Sequence, residues 1–284
     1  MRRRTLERLV RVGYAARGVV YVLVGGLALL AALGSGRTAG TRGALQTVLS
    51  EPLGGVLLGG VALGLLAFAL WRAAQALLDA DHLGSEIKAI TRRIGFGFAA
   101  AVNAALAVWA IALLVGFQSR KGDDDGAARE WTAALLSMPF GRWLVAIVGF
   151  VVVGTGVGIA LKGWKAGFGQ GLALAPAAER WVLPLGRLGL VARGLVFVLV
   201  GVFLALAAIH ADPGEARGLG GALSTLQRQP YGWALLGLVA LGLFAFGSFQ
   251  FAVARYRRID ASAPQNAARE MRDGLTAAAR ELRP

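Results

Sequence analysis

The sequence predicts an all-α membrane protein whose six transmembrane helices form three parallel two-helix repeats in a pseudo-threefold bundle. Three observations predict it. The 284 residues are 56% hydrophobic and 16% charged, with 41 glycines, too apolar for a soluble domain of this length. The charges leave six windows empty: Gly18–Gly36, Pro52–Trp71, Ile94–Ser119, Trp143–Leu161, Gly194–Ala211 and Gln229–Ala254. Each is near the roughly 20 residues a helix needs to cross about 30 Å of hydrocarbon. Finally, Arg11–Gly25 recurs almost intact at Arg187–Gly201, and such self-similarity is the mark of a repeat architecture. Barrel strands would be short and alternating, whereas these windows are long and evenly apolar, so they are read as helices.

In chain order, residues 1–13 form a basic N-terminal segment. Arginines followed by an apolar run can be read as a signal peptide, and Arg3-Arg4-Thr5-Leu6 faintly resembles a twin-arginine signal. Reuse of the same segment as an internal span argues against its removal. Residues 14–80 are the first repeat, 93–165 the second and 186–257 the third, each with two spans. Ala166–Ala178 is short, glycine-rich and contains Pro176, and reads as loop. Residues 258–284 are a basic tail. Its Ala267, Met271, Leu275, Ala278 and Leu282 fall at helical spacing, so the tail is either an amphipathic helix on the membrane surface or a solvated segment. With the N-terminus inside, most of the 30 Lys and Arg residues fall on the inner side. The expected location is therefore a bacterial cytoplasmic membrane with both termini cytoplasmic.

The internal comparison is specific. Gly13-Tyr14-Ala15-Ala16-Arg17-Gly18-Val19-Val20-Tyr21 matches Gly189-Leu190-Val191-Ala192-Arg193-Gly194-Leu195-Val196-Phe197. Gly43-Ala44-Leu45, Pro52, Gly54, Gly64 and Phe68 recur at the same spacing as Gly221-Ala222-Leu223, Pro230, Gly232, Gly242 and Phe246. The middle copy keeps Arg93, Gly95, Ala133, Leu135, Pro139 and Gly141, but has Ala99 and Asn103 where the others have arginine and an aromatic ring. This pattern, ending near Trp71, Arg72 and Gln75, resembles the bacterial membrane family catalogued as domain of unknown function 1206, over about Leu9 to Arg258. The resemblance implies a six-span, three-repeat membrane protein and no particular activity. A two-span repeat preserves orientation, so the copies are parallel about an axis along the membrane normal, unlike inverted-repeat transporters. Gly55/Gly59, Gly60/Gly64 and Gly154/Gly158 are small-xxx-small pairs expected to serve helix packing rather than a pore.

An ionisable residue inside a span is a functional candidate. Arg17 and Arg193 lie about one turn inside their spans, where they either hold an anion such as a lipid phosphate, or snorkel to headgroups, or pair with Asp79, Asp81 or Glu86. Trp71, Arg72, Gln75, Gln250 and Arg255 form a fringe expected to anchor helices at the interface. Asn103 either bonds a neighbouring helix or lines a path. Arg17, Arg193, Asn103, Arg72 and Gln75 are thus the candidate anion, lipid or partner site.

Other chemistry is argued against. The chain has no cysteine, which excludes disulfides and thiolate ligands. His82 and His210 fall on opposite sides of the membrane and cannot share a haem or zinc. Gly122-Asp123-Asp124-Asp125-Gly126 lacks calcium-loop spacing and reads as a solvated acidic turn. Gly154-Thr155-Gly156-Val157-Gly158 and Gly167-Phe168-Gly169-Gln170-Gly171 lack the strand and Lys-Ser/Thr of a nucleotide loop. Neither a cofactor, a metal nor an enzymatic activity is expected. The net charge of +14 points to anionic headgroups rather than nucleic acid. Expected partners are the bilayer, anionic phospholipid headgroups and a membrane protein. The two functional readings are a non-enzymatic scaffold, partner subunit or anionic-lipid-binding protein, and a small-solute or ion transporter with a path along the repeat axis.

Overall fold

The computed structural model describes residues 3–35, 38–78, 86–117, 124–166, 168–169 and 172–257. Among these the chain is helical: α1 (Arg3–Ala32), α2 (Thr41–Ser50), α3 (Gly54–Leu77), α4 (Ile87–Leu114), α5 (Asp124–Leu136), α6 (Gly141–Trp164), α7 (Pro176–His210), α8 (Leu219–Gln227) and α9 (Gly232–Tyr256). Helices α1, α3, α4, α6, α7 and α9 are long and apolar enough to cross a bilayer. The short helices α2, α5 and α8 meet one another at the distal end, away from the start of α1. Each repeat is long, short, long. The tail lies outside the described residues, as do Asp79, Asp81, His82 and the start of the acidic turn.

The entrance to the second long helix is the same in all three repeats. Leu53, Phe140 and Tyr231 take left-handed backbone angles, with φ of 62°, 60° and 57°. Each follows a proline and precedes Gly54, Gly141 or Gly232, where a side chain would collide with the carbonyl of Val48, Leu135 or Gln227. The reversal between short and long helix is tight enough that only glycine fits after it.

Packing between repeats explains the glycine content. Helix α9 packs on α1, α3 on α4, and α6 on α7, so that every repeat touches both others. In the α6–α7 seam, a Cβ on Gly156 would lie 2.7 Å from the Gly194 carbonyl oxygen, and one on Gly201 would lie 2.8 Å from that of Gly149. In the α9–α1 seam, Gly247 faces the Gly18 carbonyl at 2.8 Å and Gly25 faces the Phe244 backbone. On α1, α6 and α7 these glycines recur every seventh residue, and on α9 Ala240 stands seven before Gly247, the spacing that keeps one seam facing a neighbouring helix. Close backbone approach supplies the dispersion contacts that drive association in lipid. The α3–α4 seam is the alanine version, with Ala62, Ala69 and Ala107 buried. Of the paired glycines expected from the sequence to pack, Gly60, Gly154 and Gly158 meet nothing within 4 Å, and Gly55 and Gly59 meet only a Leu114 methyl at 3.8 Å. Of that set, Gly64 packs closely, against Ala16.

Side chains and amides from neighbouring repeats also cap helix ends, whose last carbonyls lack partners. Arg93 donates to the carbonyls of Ala76 and Leu77 at 2.9 and 3.1 Å, and Arg142 to those of Ala208 and Ile209 at 3.2 and 2.6 Å. Gln227 donates to the Ala31 carbonyl at 3.2 Å.

Within a repeat the hairpins differ. Helix α1 packs on α3 and α7 on α9, and a Cβ on Gly13 would stand 2.8 Å from the Phe68 backbone nitrogen, while one on Gly189 would stand 2.6 Å from that of Phe246. In the middle repeat α4 and α6 do not pack together, and the equivalent Gly95 meets nothing within 4 Å. The closed hairpins bring Ala16 onto Gly64 and Ala192 onto Gly242. The middle repeat has Phe98 and Val151 at these places, and they are 61% exposed each. Two bulky residues cannot take a spacing built for alanine on glycine. The bundle is therefore a ring of six helices open on one side. The apolar core runs through α1, α3, α4, α7 and α9 with Leu45 of α2 and Leu223 of α8, while α6 adds Ile159 at its edge and buries Val145 apart from it.

Candidate functional site

Three arginines meet inside the ring, in the half that carries the chain ends. Arg17 is buried, its guanidinium carbon 4.9 Å from the Phe68 ring centroid and 5.6 and 5.7 Å from those of Tyr21 and Phe246. Arg193 lies 5.0 Å from both Phe197 and Phe246 and 5.8 Å from Tyr21. Arg72 lies 5.0 and 4.9 Å from Phe68 and Phe96. Arg17 precedes Tyr21, and Arg193 precedes Phe197, by four residues of one helix, the spacing that stacks side chains on a face. The ring contacts hold the cations in place and stabilise each by about 1 kcal/mol or more where water is excluded.

Tyr21 joins the two repeats. Its hydroxyl oxygen accepts hydrogen bonds from both Arg17 and Arg193, and its ring meets Phe246 edge-on with centroids 4.7 Å apart. With both lone pairs occupied, the hydroxyl proton is left to donate elsewhere. No carboxylate among the described residues lies against Arg17 or Arg193, and Glu86, one of the partners expected from the sequence, is exposed. The Arg193 Nε is shielded from solvent with no hydrogen-bond partner. Further positive charge surrounds the cluster: Arg193 feels Arg17 and Arg72, and Lys162 of α6 feels Arg72, Arg92 and Arg257. Like charges held in low dielectric are costly without a counter-ion.

The structure thus brings Arg17, Arg193 and Arg72 together and adds Gln75, which accepts from Arg72 at 3.0 Å. Asn103 does not join them: its amide donates to the Ala99 carbonyl of its own helix at 2.7 Å. The fringe expected at the interface is also different. Trp71, Gln75 and Gln250 are 3%, 1% and 4% exposed, so they are interior residues rather than anchors. Tyr21 does not stand out in the sequence, because a tyrosine in an apolar span reads as packing. Its signal was the position, one turn after an intramembrane arginine.

At the distal end the described part of the acidic turn, residues 124–126, is half-buried rather than fully solvated. Asp124 and Asp125 open α5. Asp125 accepts from the backbone N–H groups of Gly218 and Gly221 at 2.8 and 2.9 Å, capping α8. Asp124 accepts from the Arg42 N–H at 3.2 Å, capping α2. His210 pairs with Glu215 at 2.9 Å on the same side.

A ring of apolar helices around a basic interior is a multi-pass membrane protein, and the chain belongs to the family described as Domain of Unknown Function (DUF1206). The family profile matches three times, over residues 12–79, 94–166 and 188–257. An uncharacterized protein of Bacillus subtilis (strain 168), YxxB, is 34% identical over 239 residues, covering 83% of this chain and 86% of that one. No solved structure matches the chain.

Proposed function

We propose that this protein is a non-enzymatic component of the bacterial cytoplasmic membrane that binds an anionic lipid or a comparable acidic ligand, both chain ends facing the cytoplasm. The observation that carries the reading is the convergence of Arg17 and Arg193 on one tyrosine hydroxyl with no carboxylate among the described residues against either. Arginine forks match phosphate oxygens bidentately, and the Tyr21 proton supplies a further donor. The basic residues near the chain ends support the orientation. Apart from the Tyr21 hydroxyl, the described residues of the site supply cations and rings and no carboxylate or imidazole beside them, which supports binding over catalysis. A transport path gated jointly by Arg17, Arg193 and Asn103 is less well supported, since Asn103 bonds within its own helix.

The test is the lipid that co-purifies with the protein. Mass spectrometry of wild type should show anionic phospholipid enriched over the bulk membrane, and the Arg17→Gln/Arg193→Gln double variant should lose about tenfold of it. That corresponds to roughly 1.4 kcal/mol. Equal enrichment in folded preparations of both would sink the proposal.

A further inference from the structure

The geometry points to the gap between α4 and α6 as the seat of an acyl chain, so that the ligand of the arginine site is a phosphate-bearing lipid reaching it sideways from the bilayer. This deepens the reading of Arg17 and Arg193 as an anion site and rests on it. Two of the three hairpins are closed by a small-residue pair and a phenylalanine, while the third has Phe98, Val151 and Thr155 at the same places. The opening is lined by exposed Phe98, Val102 and Val151, a wall that suits hydrocarbon, and Thr155 folds its hydroxyl onto the Val151 carbonyl at 2.7 Å, which removes its polarity. Lys162 lies further along α6, within reach of the charge of Arg72. An occupant lying along the opening would thus have apolar walls beside its chain and cations beside its head. The charge complementarity selects the occupant: a neutral lipid would bring no negative charge to Arg17 and Arg193, against which no described carboxylate lies, and a free phosphate would leave the apolar walls unused. The unequal hairpins also give the ring one opening rather than three.

The experiment places the photoreactive residue p-benzoylphenylalanine at Phe98, a conservative replacement. It is compared with the same residue at Leu238, an exposed position on α9. Protein is reconstituted in phosphatidylcholine vesicles holding 5% phosphatidylglycerol, a composition chosen so that random contact yields little product. Crosslinking to phosphatidylglycerol at Phe98 should exceed that at Leu238 at least fivefold, and should fall to the Leu238 level when Arg17 and Arg193 are both changed to Gln. A second variant, Phe98→Ala/Val151→Gly, copies the closed hairpins and should lower co-purified phosphatidylglycerol about tenfold with the arginines intact. Equal crosslinking at the two positions, or full retention of lipid in the closed variant, overturns the lateral seat. The anion site itself survives either result if the arginine variant still loses lipid. Thermal stabilisation by inorganic phosphate equal to that by phosphatidylglycerol, without crosslinking at Phe98, would make the ligand a free anion and likewise overturn it.

Discussion

Asp124, in the first turn of α5, accepts a hydrogen bond from the backbone N–H of Arg42 in α2 at 3.2 Å, tying the middle repeat to the first across 82 residues. Its neighbour Asp125 ties the middle repeat to the third. The N-caps of α2 and α8 are Gly40 and Gly218, which have no side chain to close the first turn. The middle repeat supplies both missing acceptors. A carboxylate at a helix N-terminus meets free N–H groups and the positive end of the dipole.

This arrangement makes the distal end sensitive to pH. Burial pushes the Asp124 carboxyl up from 3.8 to about 6, and the Asp125 charge adds to the effect, against the Arg42 N–H and charge. The folded state therefore binds the proton more tightly than the unfolded one. The associated stability is fully present below about pH 4 and is lost as pH rises through 6. The difference is worth about 3 kcal/mol at most. Purified protein should melt several degrees higher at pH 4.5 than at pH 7, and Asp124→Asn should flatten that dependence. Parallel pH profiles for the two proteins would refute the assignment to Asp124.

Asp125 carries the complementary prediction. Asp125→Ala leaves the Gly218 and Gly221 amides without their acceptor and should cost about 1–2 kcal/mol, the usual range for an N-cap. Asp125→Asn keeps an acceptor oxygen and should recover most of it. Thermal melts at pH 7 decide. A loss as large for Asn as for Ala would mean that charge, and not the cap, matters.

Much of this was legible in the sequence and some was not, for physical reasons. The six spans and their grouping could be read because charge exclusion and a repeated Gly-x-Ala-Ala-Arg-Gly-like segment are local patterns. Arg17 and Arg193 could be flagged because a cation in hydrocarbon is conspicuous by itself. What they share, the Tyr21 hydroxyl, depends on two helices from different repeats meeting, which no window of sequence encodes. The aspartates read as solvent-facing for the same reason: their partners are backbone amides 82 to 96 residues away. Trp71, Gln75 and Gln250 sit at the ends of apolar windows, where burial and interface look alike in one dimension. The glycine seams were visible in principle, as residues 149, 156 and 163 and residues 194 and 201. A four-residue glycine spacing marks one face of a helix but not which face meets a neighbour, whereas the seven-residue spacing follows the seam.

That distinction gives a sharp contrast on α6. Gly156 and Gly154 are two residues apart on one helix, so composition and depth are nearly the same. A methyl group on Gly156 would stand 2.7 Å from the Gly194 carbonyl oxygen and 2.8 Å from the Val198 nitrogen, whereas one on Gly154 meets nothing within 4 Å. Gly154→Ala should be neutral or stabilising by up to about 1 kcal/mol, the helix-propensity gain. Gly156→Ala should destabilise by about 1–3 kcal/mol, because backbone must move to admit the methyl. Thermal melting of the two single variants in one detergent is sufficient. Equal effects would show that the α6–α7 seam is looser than its geometry implies.

The open middle hairpin is the feature most directly attributable to named residues, and it can be closed on that basis. In the first and third repeats, Ala16 on Gly64 and Ala192 on Gly242 set the helix separation. Phe98 and Val151 occupy those places on α4 and α6, and neither is covered by the other. Helices meet without hydrophobic driving force in lipid, so a small pair that lets backbones touch is the difference between packing and none. Phe98→Ala/Val151→Gly should therefore draw α4 toward α6. The chain lacks cysteine, so spin labels can be placed at will on Val108 and Ile147, both exposed. The label separation measured by electron–electron double resonance should shorten by several ångströms in the double variant. Each single change should do less, since one bulky residue is enough to hold a close seam apart. An unchanged separation would assign the opening to the seams with the neighbouring repeats, which hold α4 on α3 and α6 on α7 wherever the middle pair would prefer to be.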